Sequence, residues 1–444
     1  MKIEMISDIH DQFEQKEWVK RFAEEKERLE IIFDELIIKF HHIGSTAIED
    51  CNSKSVIDIL GVTNDISVIS TKNSLLTQAG YTSLKEHEMQ GHCYFHKENV
   101  HLHIFEDSDP EASRYLRFAF YLNAHPEKVK EYSDLKSGLV DKCSHSLETF
   151  INEVDKKAVQ ERTAPLHYPP LGPRKSMWAK EEIIDALHIN MHAFMIYFCR
   201  YISTQFIFYQ PDVTLIASKV PDDNFNTVLT TRFTEKNAKE RISFVLNFYR
   251  EQNLPFAWWT SLAQDTPSNL HQLLQEAGLQ LKEDDIGMSL DFAHYTPVDS
   301  VHDVRRAVSH EDIADFVHIL TQIGITERAY SDIYAHVPTF LFEEGAPFEM
   351  YVLYDRKGQP VTTGVVFFHL GVAGIYYIFT VPKARKKGLA TAMMHHLLKR
   401  ALEKGYTRST LAATSEGKNL YKRLGFQPCC RFIEYGCSFA SNLE

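Results

Sequence analysis

The chain has no surplus of positive charge, no long apolar run and no paired-cysteine motif, and each absence removes a class of function. Lys and Arg total 48 against 60 Asp and Glu, a formal net charge of −12. A nucleic-acid coat needs a basic surface, so no nucleic-acid partner is expected, although a local basic patch stays open. The most apolar stretch, Ile183 to Tyr209, is interrupted by Asp185, His188, Asn190, His192 and Arg200. No transmembrane helix and no membrane partner are expected from it. The opening MKIEMISDIHDQFEQ lacks an apolar segment and mixes acids with bases, so no secretory signal is expected. Seven scattered cysteines, with Cys429 and Cys430 adjacent and no CxxC pair, suit free thiols in a reducing, cytoplasmic setting and give no metal site. Short-period repeats and low-complexity tracts are missing too. What remains, 44% hydrophobic and 24% charged residues, is an ordinary globular composition.

At 444 residues the chain is too long for one ordinary domain. The run His167-Tyr168-Pro169-Pro170-Leu171-Gly172-Pro173 cannot continue a helix or a central strand. A second break lies near Asp291 to Asp303, where MSLDF gives way to HYTPVDSVHDV. The expected organisation is an α/β (α+β) multidomain chain with domains at 1–168, 174–295 and 300–444.

The first segment opens on a helix with Trp18, Phe22, Leu29, Ile32, Phe33 and Leu36 at helical spacing, a core-facing stripe. HHIGSTAIEDCNSKSVIDILGV then turns to strand, with a Gly44-Ser45 turn ahead of Val56-Ile57-Asp58-Ile59-Leu60. A carboxylate in such a strand is costly to bury without a partner or a metal. Nucleotidyltransferases use this arrangement: turn N–H groups hold a triphosphate and strand carboxylates hold Mg²⁺. The motifs HHIGSTAIEDCNSKSVIDIL, HLHIF (His101 to Phe105) and YLNAHPEKVKEYSDLK (Tyr121 to Lys136), in that order, resemble the GrpB family over most of residues 1 to 165. The resemblance implies a nucleotidyltransferase-like fold, with Gly44, Ser45, Asp58, His101 and His103 at the corresponding site. Active nucleotidyltransferases carry two carboxylates two residues apart on one strand face. Here Leu60 stands at the second position, and Ala119-Phe120 replaces the family's Arg-Asp. A binding or scaffolding role is therefore expected for this domain, with Asp58 as a buried anchor. Metal binding by Asp58, His101 and His103 is the alternative.

Residues 176 to 295 show no constellation of polar residues suited to chemistry. A helix from Lys180 to Phe208, strands such as Asn226 to Phe233, and then strand, turn, helix, Gly cap and strand are expected. The Trp258-Trp259 pair reads as core. This order resembles a degenerate acetyltransferase half that lacks the glycine turn a cofactor needs and shapes the acceptor cleft of its neighbour.

The last segment carries the chemistry. In GVAGIYYIFTVPKARKKGLATAMMHHLLKRALEKGY a strand (Gly374 to Val381) ends at Pro382 and a helix begins near Leu389. Lys383 to Arg408 holds eight Lys/Arg against one acid. A loop presenting N–H groups at a helix N-terminus is an anion site, and the added charge suits pyrophosphate. Arg385-Lys386-Lys387-Gly388-Leu389-Ala390 is R-x-x-G-x-A, and residues 300 to 444 resemble the GNAT N-acetyltransferase family, with a mixed central sheet flanked by helices. The resemblance implies acetyl-CoA as cosubstrate. It assigns backbone pairing with the pantetheine arm to Phe379, Thr380 and Val381, and pyrophosphate binding to the Arg385–Thr391 loop, including Lys386, Lys387, Gly388, Leu389, Ala390 and Thr391. In LYKRLGF it assigns Tyr421 as the acid that protonates the leaving thiolate; packing under the adenosine arm is the other role open to Tyr421. For the general base, Glu349, Glu327, His369 and ordered water all remain open.

The expected function is acetyl transfer from acetyl-CoA to an amine on a small molecule or protein. The alternatives are a bifunctional chain whose first domain also handles nucleotides, and a non-catalytic CoA sensor. Acidic composition favours a cationic acceptor by steering. No oligomeric state follows from the residues.

Overall fold

Alternating apolar residues in IKFHHI and the nearly all-apolar IDILGVT build the first two strands of a five-stranded sheet. The structure is a computed structural model that describes residues 4–51, 56–83, 92–138, 144–162, 167–172, 174–199, 202, 205–210, 212–261, 264–299, 301–322, 334 and 337–437. It divides into two compact units, Met1–Arg174 with Gly345–Pro347, and Lys175–Glu344 with Phe348–Glu444.

In the first unit, α1 (Glu4–Ile32) leads to β1 (Ile38–Ile43) and β2 (Ile57–Thr63); α2 (Asn73–Gln78) precedes β3 (Thr82–Ser83), β4 (His92–Lys97) and β5 (Val100–Glu106). The sheet order is β1-β2-β5-β4-β3, with β2 and β5 parallel and the other pairs antiparallel. Three helices follow, α3 (Pro110–Ala124), α4 (Pro126–Gly138) and α5 (Ser144–Gln160). Asp109 caps α3 by accepting from the Glu111 N–H at 2.8 Å, with Pro110 in the first turn. Arg117 of α3 and Asp155 of α5 form a buried ion pair, Nε to Oδ1 2.8 Å.

The second unit is built twice on one plan. Its first half runs through the antiparallel strands β6 (Gln205–Gln210), β7 (Val213–Ser218) and β8 (Thr227–Thr231), then α7 (Ala238–Glu251), β9 (Phe256–Ser261), α8 (Leu270–Glu276) and the long β10 (Gln280–Asp291). After β11 (Asp303–Arg306) and α9 (His310–Thr321), the second half repeats the order with β12 (Phe348–Tyr354), β13 (Pro360–His369), β14 (Val372–Thr380), α10 (Leu389–Glu403), β15 (Arg408–Ala413), α11 (Lys418–Arg423) and β16 (Gln427–Cys437). The segments separated in the sequence at 295–300 share one eleven-stranded sheet, β11-β12-β13-β14-β15-β10-β16-β9-β8-β7-β6. The last strands of the two halves are exchanged: β10 lies between β15 and β16, and β16 between β10 and β9.

Preceding both halves, α6 spans Lys180–Ile196, shorter than the helix to Phe208 that the apolar run suggests. Residues 205–210 instead pair with β7 as the edge strand β6, where the aromatic and β-branched content of QFIFYQ favours extended backbone. From α6, the buried Asn190 Nδ2 donates to His369 O at 3.0 Å and its Oδ1 accepts from Tyr376 Oη at 2.7 Å.

Candidate functional site

Antiparallel β13 and β14 stay paired through Thr362–Thr380, but β14 and β15 are in parallel register only at Ala373–Ser409 and Gly374–Thr410. Beyond Gly374 the two strands part. A bulge interrupts β14 between Tyr376 and Phe379, with Tyr377 at φ 52° and its carbonyl accepting from Thr363 Oγ1 at 2.8 Å. A cleft of about 1040 Å³ occupies this opening. Val381 is buried, is not among the lining residues, and donates its N–H to Val361 O at 3.0 Å. Antiparallel alternation then turns the backbone of Thr380 away from β13, toward the cleft that Thr380 and Phe379 line.

The loop after β14 narrows through a short turn at Pro382–Ala384 and reaches Lys386 (φ 60°) and Gly388 (φ 77°), both left-handed. Gly388 caps α10 without a side chain, and a Cβ there would meet no protein atom within 4 Å. The first turn of α10 contains no acid and its cap makes no side-chain hydrogen bond, so the positive end of this 15-residue helix lies at the cleft that Gly388 to Thr391 line. Arg385 Nε donates to Thr380 O at 3.1 Å, which ties the loop to the strand. Arg385, Lys386, Gly388, Leu389, Ala390 and Thr391 line the cleft; Lys387 turns aside, its Nζ donating to Lys383 O at 3.1 Å. The open glycine, the helix N-terminus without a side-chain cap and the flanking cations fit a pyrophosphate.

Tyr421 lines the same cleft from α11, its ring 6.0 Å from Phe426. Burial first, and the Asp285 charge second, push its hydroxyl up to about 12. Thr414, Ser415, Glu416 and Gly417 line the approach to it. The opposite wall comes from the first half and from α6: Met191, Phe194, Phe198 and Trp259 are lining residues, and Phe194 stacks on Tyr376 at 3.8 Å. Trp258 is fully buried as expected, whereas Trp259 faces the cleft.

Of the general-base candidates, Glu349 is wholly buried among Arg400, Lys404 and Arg306. Burial alone would raise its carboxyl, but the Arg400 bond and the Lys404 and Arg306 charges hold it down at about 2, too weak a base. His369 is buried at the end of β13 and does not line the cleft, and Glu327 lies outside the described residues. The carboxylates that do line it are Glu283, Asp285, Glu416 and Glu434. None of the four is among the candidates read from the motifs. The only trace in sequence is the acid-rich KEDD just ahead of an apolar strand, in a segment that shows no catalytic pattern.

In the first unit, Gly44 (φ 73°) lies against the Asp58 carboxylate, Asp58 Oδ1 is 3.2 Å from His101 Nδ1, and Lys136 Nζ donates to Ser45 Oγ at 2.8 Å. Burial raises Asp58, opposed by the His101 and Lys136 charges. His103, in register with Leu60, packs its ring 4.7 Å from Tyr94 and 5.6 Å from Tyr115. Leu60 is fully buried with Ile43, Val62 and Phe105. Among the described residues no three His, Cys, Asp or Glu side chains are grouped to hold a metal ion, and no helix is long and apolar enough to cross a membrane.

Comparison with known proteins finds a family match in each unit. A family model described as GrpB protein matches residues 12–162, and one described as acetyltransferase (GNAT) domain matches residues 346–428. UPF0157 protein YqkA of Bacillus subtilis is 37% identical over 145 residues, covering 32% of this chain and 42% of that protein. Glutamate-rich protein GrpB of Alkalihalophilus pseudofirmus is 34% identical over 145 residues, covering 31% of this chain and 83% of that protein. A GCN5-related N-acetyltransferase from Kribbella flavida aligns in structure with a TM-score of 0.44 at 13% identity, over 56% of this chain and 95% of that one. The chain belongs to the GrpB family and carries a GNAT acetyltransferase domain behind its GrpB segment.

Proposed function

We propose that the second unit is an acetyl-CoA-dependent N-acetyltransferase. The observation that carries this reading is the parting of β14 and β15 beside the α10 N-terminus, where Gly388 and acid-free first-turn N–H groups meet Arg385 and Lys386. Bound there, acetyl-CoA would supply an acetyl group activated as a thioester. The loop from Arg385 to Thr391 holds the pyrophosphate, and the backbone of Thr380 positions the pantetheine arm as an added strand would. N–H groups past the β14 bulge polarise the carbonyl under attack by the amine. Tyr421 keeps its proton at neutral pH and delivers it to the departing sulfur. The acceptor is an amine on a small molecule or a protein.

The test is thiol release from acetyl-CoA across a panel of amines, with calorimetry for affinity. Turnover supports the transferase; acetyl-CoA binding without thiol release on any amine favours a CoA-sensing module and overturns the transferase.

For the first unit we infer a binding or scaffolding role without nucleotidyl transfer. The buried Leu60 occupies the place of a second strand carboxylate, and Asp58 is engaged by His101. Labelled product from NTPs with Mg²⁺ or Mn²⁺ that disappears in Asp58→Ala would overturn this.

A further inference from the structure

Glu283 and Asp285 lie two residues apart on β10 and therefore share a face of the sheet. The β10–β16 register sets Glu434 opposite Glu283, and Trp259 of β9 lies on the other side of Glu434. All four line the cleft that also holds Tyr421 and the basic loop. Neighbouring residues on β10 have their own partners, Asp284 with Arg431 and the bulge residue Lys282 with Asp223. Asp285 is different. It is only 6% exposed, and its Oδ1 is buried with no hydrogen-bond partner among the described residues. A buried acceptor without a donor is unfavourable, and like charges facing one another across strands add to the cost. A cation that enters the cleft supplies both the missing donor and the missing charge. The cleft is thus bipolar, with a cationic loop for a polyanion at α10 and an anionic strand face beyond it.

We infer that Asp285, flanked by Glu283 and Glu434, is the acceptor subsite of the proposed transferase, that it takes amines bearing more than one positive charge, and that Asp285 accepts the proton the attacking ammonium must lose. This inference rests on the transferase reading. The ammonium gives one proton to Asp285, and the freed lone pair forms the C–N bond as the C–S bond breaks. Tyr421 Oη protonates the sulfur and is reprotonated by the second proton leaving the nitrogen. Asp285 returns its proton to solvent, so one proton is released per turnover. Burial first, then the Glu283 and Asp284 charges, push Asp285 up to about 6. Burial, then Asp223, pushes Glu434 up to about 7, with Lys282 opposing. The groups on the cleft side with Asp285 are Glu283 on its own strand, Glu434 from β16 and Tyr421 from α11. Asp284, on the other sheet face and paired with Arg431, acts on it only through its charge. Proton uptake by Asp285 removes one of the two causes that hold the Tyr421 hydroxyl high, so the base and the acid are coupled in the direction the reaction needs.

The experiment measures kcat/KM against pH with 1,5-diaminopentane, benzylamine and glutamate as acceptors, alongside acetyl-CoA affinity by calorimetry. The diamine should be preferred and glutamate, which brings carboxylates, disfavoured. Activity should fall on the acid side of about pH 6, where Asp285 is protonated. Asp285→Asn should lower kcat/KM for the diamine by about 10²-fold or more and abolish that acid limb, with acetyl-CoA affinity retained. Glu283→Gln, which removes a neighbouring negative charge, should move the limb to lower pH; if Asp285→Asn fails to fold, this shift alone decides. An unchanged rate and limb in Asp285→Asn, no shift in Glu283→Gln, or equal use of glutamate overturns the subsite while the transferase reading stands. Failure of the wild-type protein to bind acetyl-CoA, or to release thiol with any amine, overturns the transferase reading itself.

Discussion

The two halves of the second unit reach the same branch point and treat it in opposite ways. In the second half Val381 donates to Val361 O and leaves Thr380 turned to an open cleft. In the first half Arg232 donates to Asp212 O in the same manner, and β8 parts from β9 beyond Val228–Trp258. There, however, the chain fills its own gap. Thr266 N–H donates to Thr231 O at 2.9 Å, and the Asp265 carboxylate accepts from the N–H groups of Thr231 and Ser261. The helix that follows, α7, is preceded by Asn237 and has Glu240 in its first turn, where α10 is preceded by Gly388 and has no acid. The last helices differ as well. Both end in the same backbone motif, Leu279 N–H to Leu274 O and Phe426 N–H to Tyr421 O, each 3.1 Å, with Gly278 and Gly425 left-handed. Leu274 therefore stands where Tyr421 stands. One fold holds an open cleft or a plug according to a handful of side chains.

Exchanging the side chains that separate the halves breaks the comparison most sharply. Tyr421→Phe keeps the ring and removes the proton, so kcat should fall by about 10²–10⁴-fold, with acetyl-CoA affinity held. The reference thiol pKa near 8.5 makes the sulfur a fair leaving group and pulls the expectation to the low end. If Tyr421 only packs, the Phe variant is silent in kcat and Tyr421→Ala weakens affinity. At the matching place in the first half, Leu274→Ala empties a fully buried site and should cost about 2–5 kcal/mol of stability by denaturant unfolding. Acetyl-CoA affinity per folded molecule should not change. Asp265→Ala leaves two buried N–H groups without their acceptor, at about 1–3 kcal/mol each, and should speed hydrogen exchange at Thr231 and Ser261. A second acetyl-CoA equivalent bound by that variant would mean that the plug alone separates the halves; a stoichiometry of one is expected. The smallest effect belongs to Gly388→Ala. A Cβ meets no protein atom there, but the left-handed backbone opposes it by about 1 kcal/mol, so acetyl-CoA affinity should weaken by about fivefold. Gly388→Val, branched at Cβ, should weaken it further.

Short-range signals in the sequence reached the loop and the place of Tyr421 in the cleft, because each depends on a few adjacent residues: R-x-x-G-x-A fixes a left-handed glycine ahead of a helix, and LYKRLGF fixes a tyrosine four residues before another. The left-handed turn at Gly44 was legible for the same reason, whereas its contact with Asp58 is a finding of the structure. Helix α6 was overextended because an apolar run of aromatic and aliphatic residues satisfies helix and edge strand alike. The carboxylate wall was hidden for a different reason. Glu283 and Glu434 become neighbours only through a strand register set about 150 residues apart, and no local pattern encodes which sheet a strand enters.

That exchange of β10 and β16 also governs how the molecule comes into being. As synthesis proceeds, β10 emerges long before β15 and β16, the strands on either side of it, and neither half can close its sheet from its own residues. Contacts of such sequence separation slow folding, because the loop must close before the pairing rewards it. Residues 346–428 are therefore not a detachable cassette: released from the first half they would expose unpaired strand edges, and the unit is expected to melt in a single cooperative transition.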